Sequence, residues 1–146
     1  MWRIMGLVFY SDKNHFINME ERKFDYRTIV EFCTNKGIAI FDTASAVRRL
    51  NNNASDKFLE IVTPTDISAL LGKIPQCTTI VTTGEKATST IVERHGCEMP
   101  KVEQSVKLTI DGKDYDFFRM PSSSRAYPLA LDKKASTYKS MFDKVF

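Results

Sequence analysis

The sequence predicts an α/β fold: a three-layer α/β/α sandwich around a short, mainly parallel sheet. Segments with apolar residues at helical spacing alternate along the chain with short, continuous apolar runs. Continuous runs of this kind are typical of strands that are covered on both faces, as in parallel sheets. The chain has 146 residues, which is enough for one core. We therefore predict a single domain over residues 1–146.

Two helices are predicted at the start of the chain, with a polar loop between them. Apolar residues recur at helical spacing over residues 1–10 and again from Tyr26 to Lys36. Gly37 follows the second helix, where glycine suits a left-handed C-cap. Residues 11–23 are mostly polar and predict a loop. The apolar stripe of the second helix consists of Tyr26, Ile29, Val30 and Cys33.

The middle of the chain predicts a strand, a helical turn and a third helix. The run Ile38–Phe41 predicts a buried strand, and residues 44–50 predict a helical turn that Asn51-Asn52-Asn53 ends. Thr63-Pro64-Thr65-Asp66 predicts a helix start, because threonine suits the N-cap, proline the first position and an acid the first turn. The apolar residues between Ile67 and Ile74 give that helix its core-facing stripe.

The second half of the chain predicts a strand, a helix, a hairpin and a last helix. A buried strand is predicted over Thr79–Val81, and a helix from Glu85 to His95 that Gly96 closes. Apolar and polar residues alternate from Val106 to Ile110, and Asp111-Gly112 then predicts a two-residue turn. The remaining predicted elements are a return strand, Tyr115–Arg119, and a C-terminal helix with the inner stripe Leu131, Ala135, Tyr138, Phe142 and Val145.

Polar residues follow three predicted strands, at the end where open α/β sheets bind ligands. They are Asp42-Thr43, Thr82-Thr83-Gly84 and Pro121 to Ser124. In the last of these, proline stiffens the chain, and three hydroxyls with free backbone N–H groups can approach phosphate oxygens closely. Arg125 adds a positive charge, and Tyr127 adds a flat surface for stacking. The alternative is a solvated turn, because proline and serine are common turn residues.

The segment Phe118-Arg119-Met120-Pro121-Ser122-Ser123-Ser124 resembles the second motif of the mismatch-specific thymine/uracil and hypoxanthine DNA glycosylases, a branch of the uracil-DNA glycosylase superfamily. The resemblance implies that this loop enters the minor groove and holds phosphates beside a flipped nucleotide. Strictly uracil-specific relatives carry a histidine in the loop, so the serines indicate the branch with broader specificity. The implied DNA-binding residues are Pro121, Ser122, Ser123, Ser124, Arg125 and Tyr127.

Two further segments resemble the same family in the same order. Gly37-Ile38-Ala39-Ile40-Phe41-Asp42 is similar to the segment whose last residue reads the flipped base, and Ile80-Val81-Thr82-Thr83-Gly84-Glu85-Lys86-Ala87 is similar to the strand–glycine–helix segment near the binding cleft. The resemblance implies a base pocket formed by Phe41, Asp42 and Thr83. An ionised Asp42 could accept a hydrogen bond from the ring N–H of the base. Alternatively, Asp42 caps the predicted helical turn that follows it.

The first motif of the family, a strand with a Gly-x-x-Pro-Gly-like loop, has no counterpart in this sequence. Trp2-Arg3-Ile4-Met5-Gly6 resembles the helix that follows that motif. Because the resemblance places the water-positioning residue in the missing motif, no catalytic residue is assigned. The missing strand would be the central one, between Ile38–Phe41 and Thr79–Val81. We expect its place to be filled by direct pairing of these strands, by a second copy in a homodimer, or by residues preceding Met1.

The resemblance implies a monofunctional DNA-repair glycosylase. Such an enzyme flips uracil, hypoxanthine or mismatched thymine out of double-stranded DNA and hydrolyses the N-glycosidic bond. It implies no metal or organic cofactor. Two alternatives stay open: a catalytically inactive family member that at most binds DNA, and an unrelated α/β module that binds a small phosphate-bearing ligand. The net charge of +3 is compatible with a polyanion partner without requiring one.

Composition excludes several other classes of protein. No apolar run approaches the ~20 residues of a membrane helix, and the N-terminus lacks the order of a signal peptide. We therefore expect no membrane contact and an intracellular, cytoplasmic location. Cys33, Cys77 and Cys97 are odd in number and far apart, which argues against a disulfide framework. His15 and His95 lack the neighbours of a metal site, so no metal ligand is assigned.

Overall fold

The computed structural model describes residues 1–52 and 59–146. It confirms the predicted α/β class, since helices accompany a mixed sheet with a parallel strand pair and two small antiparallel sheets. Contacts divide the chain into two compact units, one of residues 1–41 and 127–146 and one of residues 42–126. The three-layer arrangement and the single uracil-DNA glycosylase-like domain over residues 1–146 stay predictions.

Five helices and seven strands are present in this described part of the chain. The longest helix has 15 residues, and none of the helices within the described ranges is long and apolar enough to cross a membrane. In chain order the elements are α1 (Trp2–Tyr10), β1 (Ile17–Asn18), β2 (Lys23–Phe24), α2 (Tyr26–Lys36), β3 (Ala44–Arg49), β4 (Leu59–Pro64), α3 (Ile67–Gly72), β5 (Thr79–Thr83), α4 (Glu85–His95), β6 (Gln104–Ile110), β7 (Lys113–Met120) and α5 (Leu131–Val145).

The first unit contains three helices and the short antiparallel pair β1–β2, and it has an aromatic core. α1 packs against α5, and Met5, Phe16 and Phe32 form a buried cluster. The ring of Phe9 makes edge contacts with the rings of Phe32 and Phe142, with centroids 5.0 Å apart in both pairs. Each such pair contributes roughly 0.5–1.5 kcal/mol beyond the area that it buries.

The bounds of α2 are those that the sequence predicts. The carboxylate of Asp25 accepts hydrogen bonds from the backbone N–H groups of Arg27 and Thr28. The Thr28 hydroxyl donates to the same carboxylate, and these bonds lower the pKa of Asp25. Gly37 ends the helix in the left-handed region, with a φ of 65°. This conformation favours glycine because the residue has no Cβ.

The buried face of α2 differs in part from the predicted stripe. Phe32 is buried, and Ile29 and Cys33 pack against the same core. Tyr26 and Val30, in contrast, are 79% and 42% exposed. Both stripes contain Ile29 and Cys33 at helical spacing, so the sequence pattern alone does not decide between them.

The second unit is built on the three-stranded sheet, in the order β5-β7-β6. β5 runs parallel to β7, with Ile80 in register with Phe117. β6 and β7 form the predicted antiparallel hairpin. Its turn residues Asp111 and Gly112 have φ values of 50° and 77°, which is the combination that a type I′ turn requires.

One buried cluster forms the core of the second unit. Ile80, Leu108 and Phe117 of the sheet pack with Leu71 of α3 and Ile91 of α4. α4 begins and ends at the predicted residues. The helix and the sheet therefore hold the end of β5 and the start of α4 in a fixed relation, which places the candidate site.

Two predictions for residues 38–50 are wrong. Residues 44–49 form strand β3 and not a helical turn, because they pair with β4 across an intervening segment. Ile38–Phe41 form no strand, and the side chains of Ile40 and Phe41 are 52% and 64% exposed. An apolar run becomes a buried strand only where neighbours pair with it and cover it. Of the predicted helix breaker at Asn51-Asn52-Asn53, the last residue lies outside the described ranges.

The start of α3 also differs from its prediction. Asp66 is the N-cap, and its carboxylate accepts a hydrogen bond from the backbone N–H of Ala69 over 3.1 Å. Thr63 and Pro64 are instead the last residues of β4. Because β4 pairs with β3, the strand extends over Thr63 and Pro64, which the sequence pattern assigned to the helix start.

β5 is an edge strand within the described residues, because it pairs with β7 alone. The expected direct pairing of Ile38–Phe41 with Thr79–Val81 is therefore wrong. Val81, in the middle of β5, is 37% exposed. A second copy of the chain and residues preceding Met1 stay predictions for the place beside β5.

Candidate functional site

Two strand ends with polar residues meet at one edge of the sheet. β5 and β7 are parallel, so their carboxyl ends lie side by side. The backbone N–H of Gly84 donates to the carbonyl oxygen of Met120 over 2.9 Å. α4 starts directly after Gly84, and residues Pro121–Ser124, here called the serine loop, start directly after Met120. The structure therefore brings two of the three predicted strand ends together.

Gly84 is the residue that allows this close approach. Its φ of 93° lies in a region that side chains rarely adopt. A Cβ at this position would lie 3.3 Å from the Cβ and 3.6 Å from the Cα of Ser122. The glycine thus permits both the sharp exit from β5 and the contact between the two segments.

A buried pair of hydroxyls stabilises the segments that carry the site. The Oγ1 atoms of Thr82 and Thr88 are 2.9 Å apart, and both side chains are buried. Thr88 donates to the carbonyl oxygen of Gly84 over 2.8 Å, and Thr82 Oγ1 lies 3.3 Å from the carbonyl oxygen of Phe118. These bonds link β5, the first turn of α4 and β7.

The serine loop is ordered by its own hydroxyls. Ser122 Oγ accepts a hydrogen bond from the backbone N–H of Ser124, and Ser124 Oγ accepts one from the N–H of Ala126, both over 3.2 Å. Accepting a bond leaves a hydroxyl its own proton to donate. Pro121 is buried, Ser122 and Ser123 are partly buried, and Ser124 is exposed. The loop is therefore a structured turn in which the Ser122 hydroxyl, having accepted a bond, can still donate its own proton to an anion.

The first turn of α4 adds backbone donors at the same edge. Gly84 provides no side-chain cap, and the first N–H groups of an α-helix have no partner within the helix. The helix dipole adds partial positive charge there. Backbone donors at a helix start together with small hydroxyls are typical of phosphate sites.

Arg119 is a site residue that the sequence did not single out. Its Nη2 lies 3.8 Å from Glu85 Oε2, and its Nη1 donates to the carbonyl oxygen of Pro100 over 3.4 Å. Its Nε is buried and has no hydrogen-bond partner among the described residues. The signal for this residue was its position in β7, directly before Met120 and the serine loop.

The predicted base pocket of Phe41, Asp42 and Thr83 stays a prediction. Thr83 is partly buried and in register with Met120, next to the serine loop. Asp42 precedes β3 and does not follow a parallel strand, so the expected third strand end is wrong. Its carbonyl oxygen accepts a hydrogen bond from Thr65 Oγ1 over 2.6 Å. Because a strand follows Asp42, the alternative role as a helix cap is also wrong. Phe41 belongs to the other unit.

The last two predicted DNA-binding residues follow the serine loop in sequence. Arg125 is exposed, and Tyr127 is 38% exposed. Tyr127 belongs to the unit that contains α5. The buried Lys134 of α5 contacts it, and this lysine was also missed. Its signal was a position at helical spacing between Leu131 and Tyr138, on the side predicted to face the core.

The described residues contain no cluster of three or more His, Cys, Asp or Glu side chains that could hold a metal ion. Burial raises the pKa of the Cys33 and Cys97 thiols, which favours the protonated, less nucleophilic form. Comparisons of the chain with protein-family models, curated proteins and solved structures found no match. The likeness to the glycosylases therefore rests on the quoted motifs.

Proposed function

We propose that the protein binds duplex DNA through the serine loop and the start of α4, as the resemblance to the second glycosylase motif implies. The observation that carries the proposal is the hydrogen bond from Gly84 to Met120, because it holds both groups of donors at one edge. A phosphate there can accept bonds from backbone N–H groups and from serine hydroxyls. A DNA partner also implies an intracellular location.

Arg119 places a positive charge beside Glu85 at the start of α4, and this charge can attract a phosphate. Their atoms are 3.8 Å apart, and the Glu85 side chain is 80% exposed, so the ion pair is weak. A phosphate can replace the carboxylate beside the guanidinium and form stronger charge-assisted bonds. Glu85 therefore competes with DNA for the same positive potential.

A binding titration tests the proposal. Fluorescence anisotropy of a labelled duplex at several salt concentrations should give an affinity that falls as salt rises. Ser122→Ala should weaken binding by about tenfold, the effect expected for one lost hydrogen bond to a charged group. Ser140→Ala, an exposed serine of α5, serves as the matched control and should change nothing. Equal affinities of the two variants would contradict the proposal.

A charge substitution at the helix start gives an opposite expectation. Glu85→Gln should strengthen DNA binding about two- to fivefold, because it removes the competing carboxylate next to Arg119. Glu93→Gln removes the same charge on the same helix, but ~12 Å farther along its axis. An equal gain in both variants would indicate only the change in net charge.

Competition distinguishes DNA from a small phosphate ligand. Unlabelled duplex should displace the labelled duplex at concentrations near its own Kd, while a free nucleotide should not. A nucleotide that competes as well as the duplex would support the alternative of a module for small phosphate-bearing ligands.

Base excision is the second candidate function, and the position of Thr83 beside the serine loop favours it. In this proposal the loop holds phosphates next to an extruded uracil, hypoxanthine or mismatched thymine. Incubation with duplexes that contain each base, followed by alkaline strand scission, tests it. Release of a base that Ser122→Ala reduces would support excision, whereas binding without release would leave a DNA-binding protein.

The outer edge of β5, which has no strand beside it among residues 1–52 and 59–146, supports a homodimer as a further part of the proposal. An unpaired edge without charged residues can accept a strand from a second copy, and Val81 at its centre is 37% exposed. Sedimentation should show a dimer that Val81→Lys disrupts. Val102→Lys, which alters a loop valine of 40% exposure, should not disrupt it. A monomeric wild type would contradict this part.

A further inference from the structure

A lysine ammonium is buried in the first unit next to Tyr127. The Lys134 side chain is 3% exposed, and its Nζ donates to the carbonyl oxygen of Tyr127 over 3.2 Å. The same Nζ lies 5.5 Å from the centroid of the Tyr127 ring. One charged group therefore contacts both the backbone and the ring of a single residue.

The backbone around Tyr127 is also held by a tight turn. The N–H of Leu129 donates to the Tyr127 carbonyl oxygen over 2.7 Å, so this oxygen accepts two hydrogen bonds. Pro128 lies between them and fixes its own φ. Lys134 is anchored in turn by the first hydrogen bond of α5, from its N–H to the carbonyl oxygen of Ala130 over 3.0 Å. The start of α5 thus fixes the position of Tyr127.

Burying an ammonium costs free energy unless polar partners receive it. A methionine has a similar length and would fill the same space without that cost. Only the lysine can fix the orientation of the Tyr127 ring, because its ammonium binds the Tyr127 carbonyl oxygen and also lies over the face of the ring. A ring held in this way loses less freedom when a base stacks on it.

We propose that Lys134 is a positioning residue that holds the Tyr127 ring ready to stack on a nucleic-acid base. This inference rests on the proposed DNA binding and extends it to a residue that touches no nucleotide. Tyr127 is 38% exposed, so the residue is accessible to a nucleic acid at the surface. Removal of the ammonium is expected to weaken DNA binding through the ring, without loss of a phosphate contact.

The first measurement needs no DNA. In NMR spectra of the whole protein, the ε-methylene protons of Lys134 should be shifted upfield by the ring current of Tyr127. Tyr127→Leu should abolish this shift, and Tyr127→Phe should keep it. A Lys134 signal at the usual position in the wild type would overturn the positioning role.

The second measurement is a double-mutant cycle on DNA affinity. Lys134→Met and Tyr127→Leu should each weaken binding about fivefold, and the double variant should be no weaker than either one. Lys133→Met, which removes an exposed charge one position earlier, reports the effect of net charge alone and should be smaller. Unchanged melting temperatures and rescue by Lys134→Arg separate positioning from a general loss of structure.

The possible failures are distinguishable. Additive effects, or equal effects of Lys134→Met and Lys133→Met, would overturn the inference while DNA binding stands. A wild type that binds no DNA would overturn the proposed function and the stacking role with it, whereas the ring-current shift would still decide whether Lys134 orders the ring.

Discussion

Gly84 and Ser122 are packed so closely that a methyl group added to the glycine would lie 3.3 Å from the serine Cβ. The glycine also has a φ of 93°. The junction between β5 and α4 therefore has little room for a side chain, and a Cβ at residue 84 would press on the serine loop at Ser122.

Gly84→Ala should consequently destabilise the protein and displace the loop. We expect a loss of about 1–2 kcal/mol in the free energy of unfolding, from the unfavourable φ and the crowded Cβ together. Urea unfolding measures it. Gly72→Ala is the control, since a Cβ there meets nothing within 4 Å, and helix propensity predicts a neutral or slightly stabilising effect. Equal stability of the two variants would contradict the crowding.

The buried hydroxyls of Thr82 and Thr88 should be energetically coupled. Thr88→Val leaves the Thr82 hydroxyl without one buried partner and should cost about 1–3 kcal/mol. Thr82→Val should cost a comparable amount, while the double variant should cost less than the sum, since no hydroxyl then stays unsatisfied. A double-mutant cycle by thermal unfolding measures the coupling, and strict additivity would argue against a direct bond.

Lys113 should contribute more to stability than a surface lysine of the same hairpin. Its Nζ donates to the carbonyl oxygens of Pro75 and Cys77 over 2.6 and 2.7 Å, which ties the loop before β5 to β7. We expect Lys113→Met to lower stability by about 2 kcal/mol. Lys107→Met removes only an exposed ion pair with Asp116 and should scarcely change the melting temperature. Similar losses of stability in both variants would contradict a stabilising role for the two hydrogen bonds of Lys113.

Stability should fall when the pH is lowered through the range where histidine titrates. Burial lowers the pKa of His95, the charge of Arg94 lowers it further, and Asp111 opposes the shift. The folded state therefore binds the proton less well than the unfolded state. Above pH ~6.5, the pKa of histidine in the unfolded chain, the ring is neutral in both states and the full stability of the fold is present. As the pH falls below that value, the unfolded state takes up the proton more readily, and stability is lost.

Melting temperatures of the wild type and of His95→Gln between pH 5 and 8 test this expectation. The Nε2 of His95 is buried without a hydrogen-bond partner in the described part of the chain, so protonation there gains no compensating bond. The wild type should lose more stability than the variant as the pH falls. Parallel curves would assign the pH dependence to other groups.

Local signals were sufficient for elements that form from neighbouring residues. The glycine after α2, the bounds of α4 and the Asp111-Gly112 turn are all encoded within a few positions and are confirmed. Residues 44–49 form a strand only because β4 pairs with them. A pairing partner that lies beyond the next nine residues is not visible in local periodicity, which explains the wrong helical turn.

The candidate site was predictable only in part: the sequence pattern predicted which strand ends meet, but it did not predict every side chain there. Parallel strands place their carboxyl ends together, so the meeting of Gly84 with the serine loop followed from the strand pattern. Arg119 and Lys134 were missed because their roles depend on three-dimensional neighbours, Glu85 for one and Tyr127 for the other. For Lys134, the sequence feature that marks the role is a charged residue at a core-facing helical position.

The parallel pairing of β5 with β7 also has a kinetic consequence. The β6–β7 hairpin closes through a two-residue turn, whereas β5 meets β7 only after α4 and β6 have intervened in the chain. Closing the longer loop costs more entropy before any contact repays it. We expect the hairpin to be formed early in the folding transition state and the β5–β7 edge, with the serine loop beside it, to be completed last.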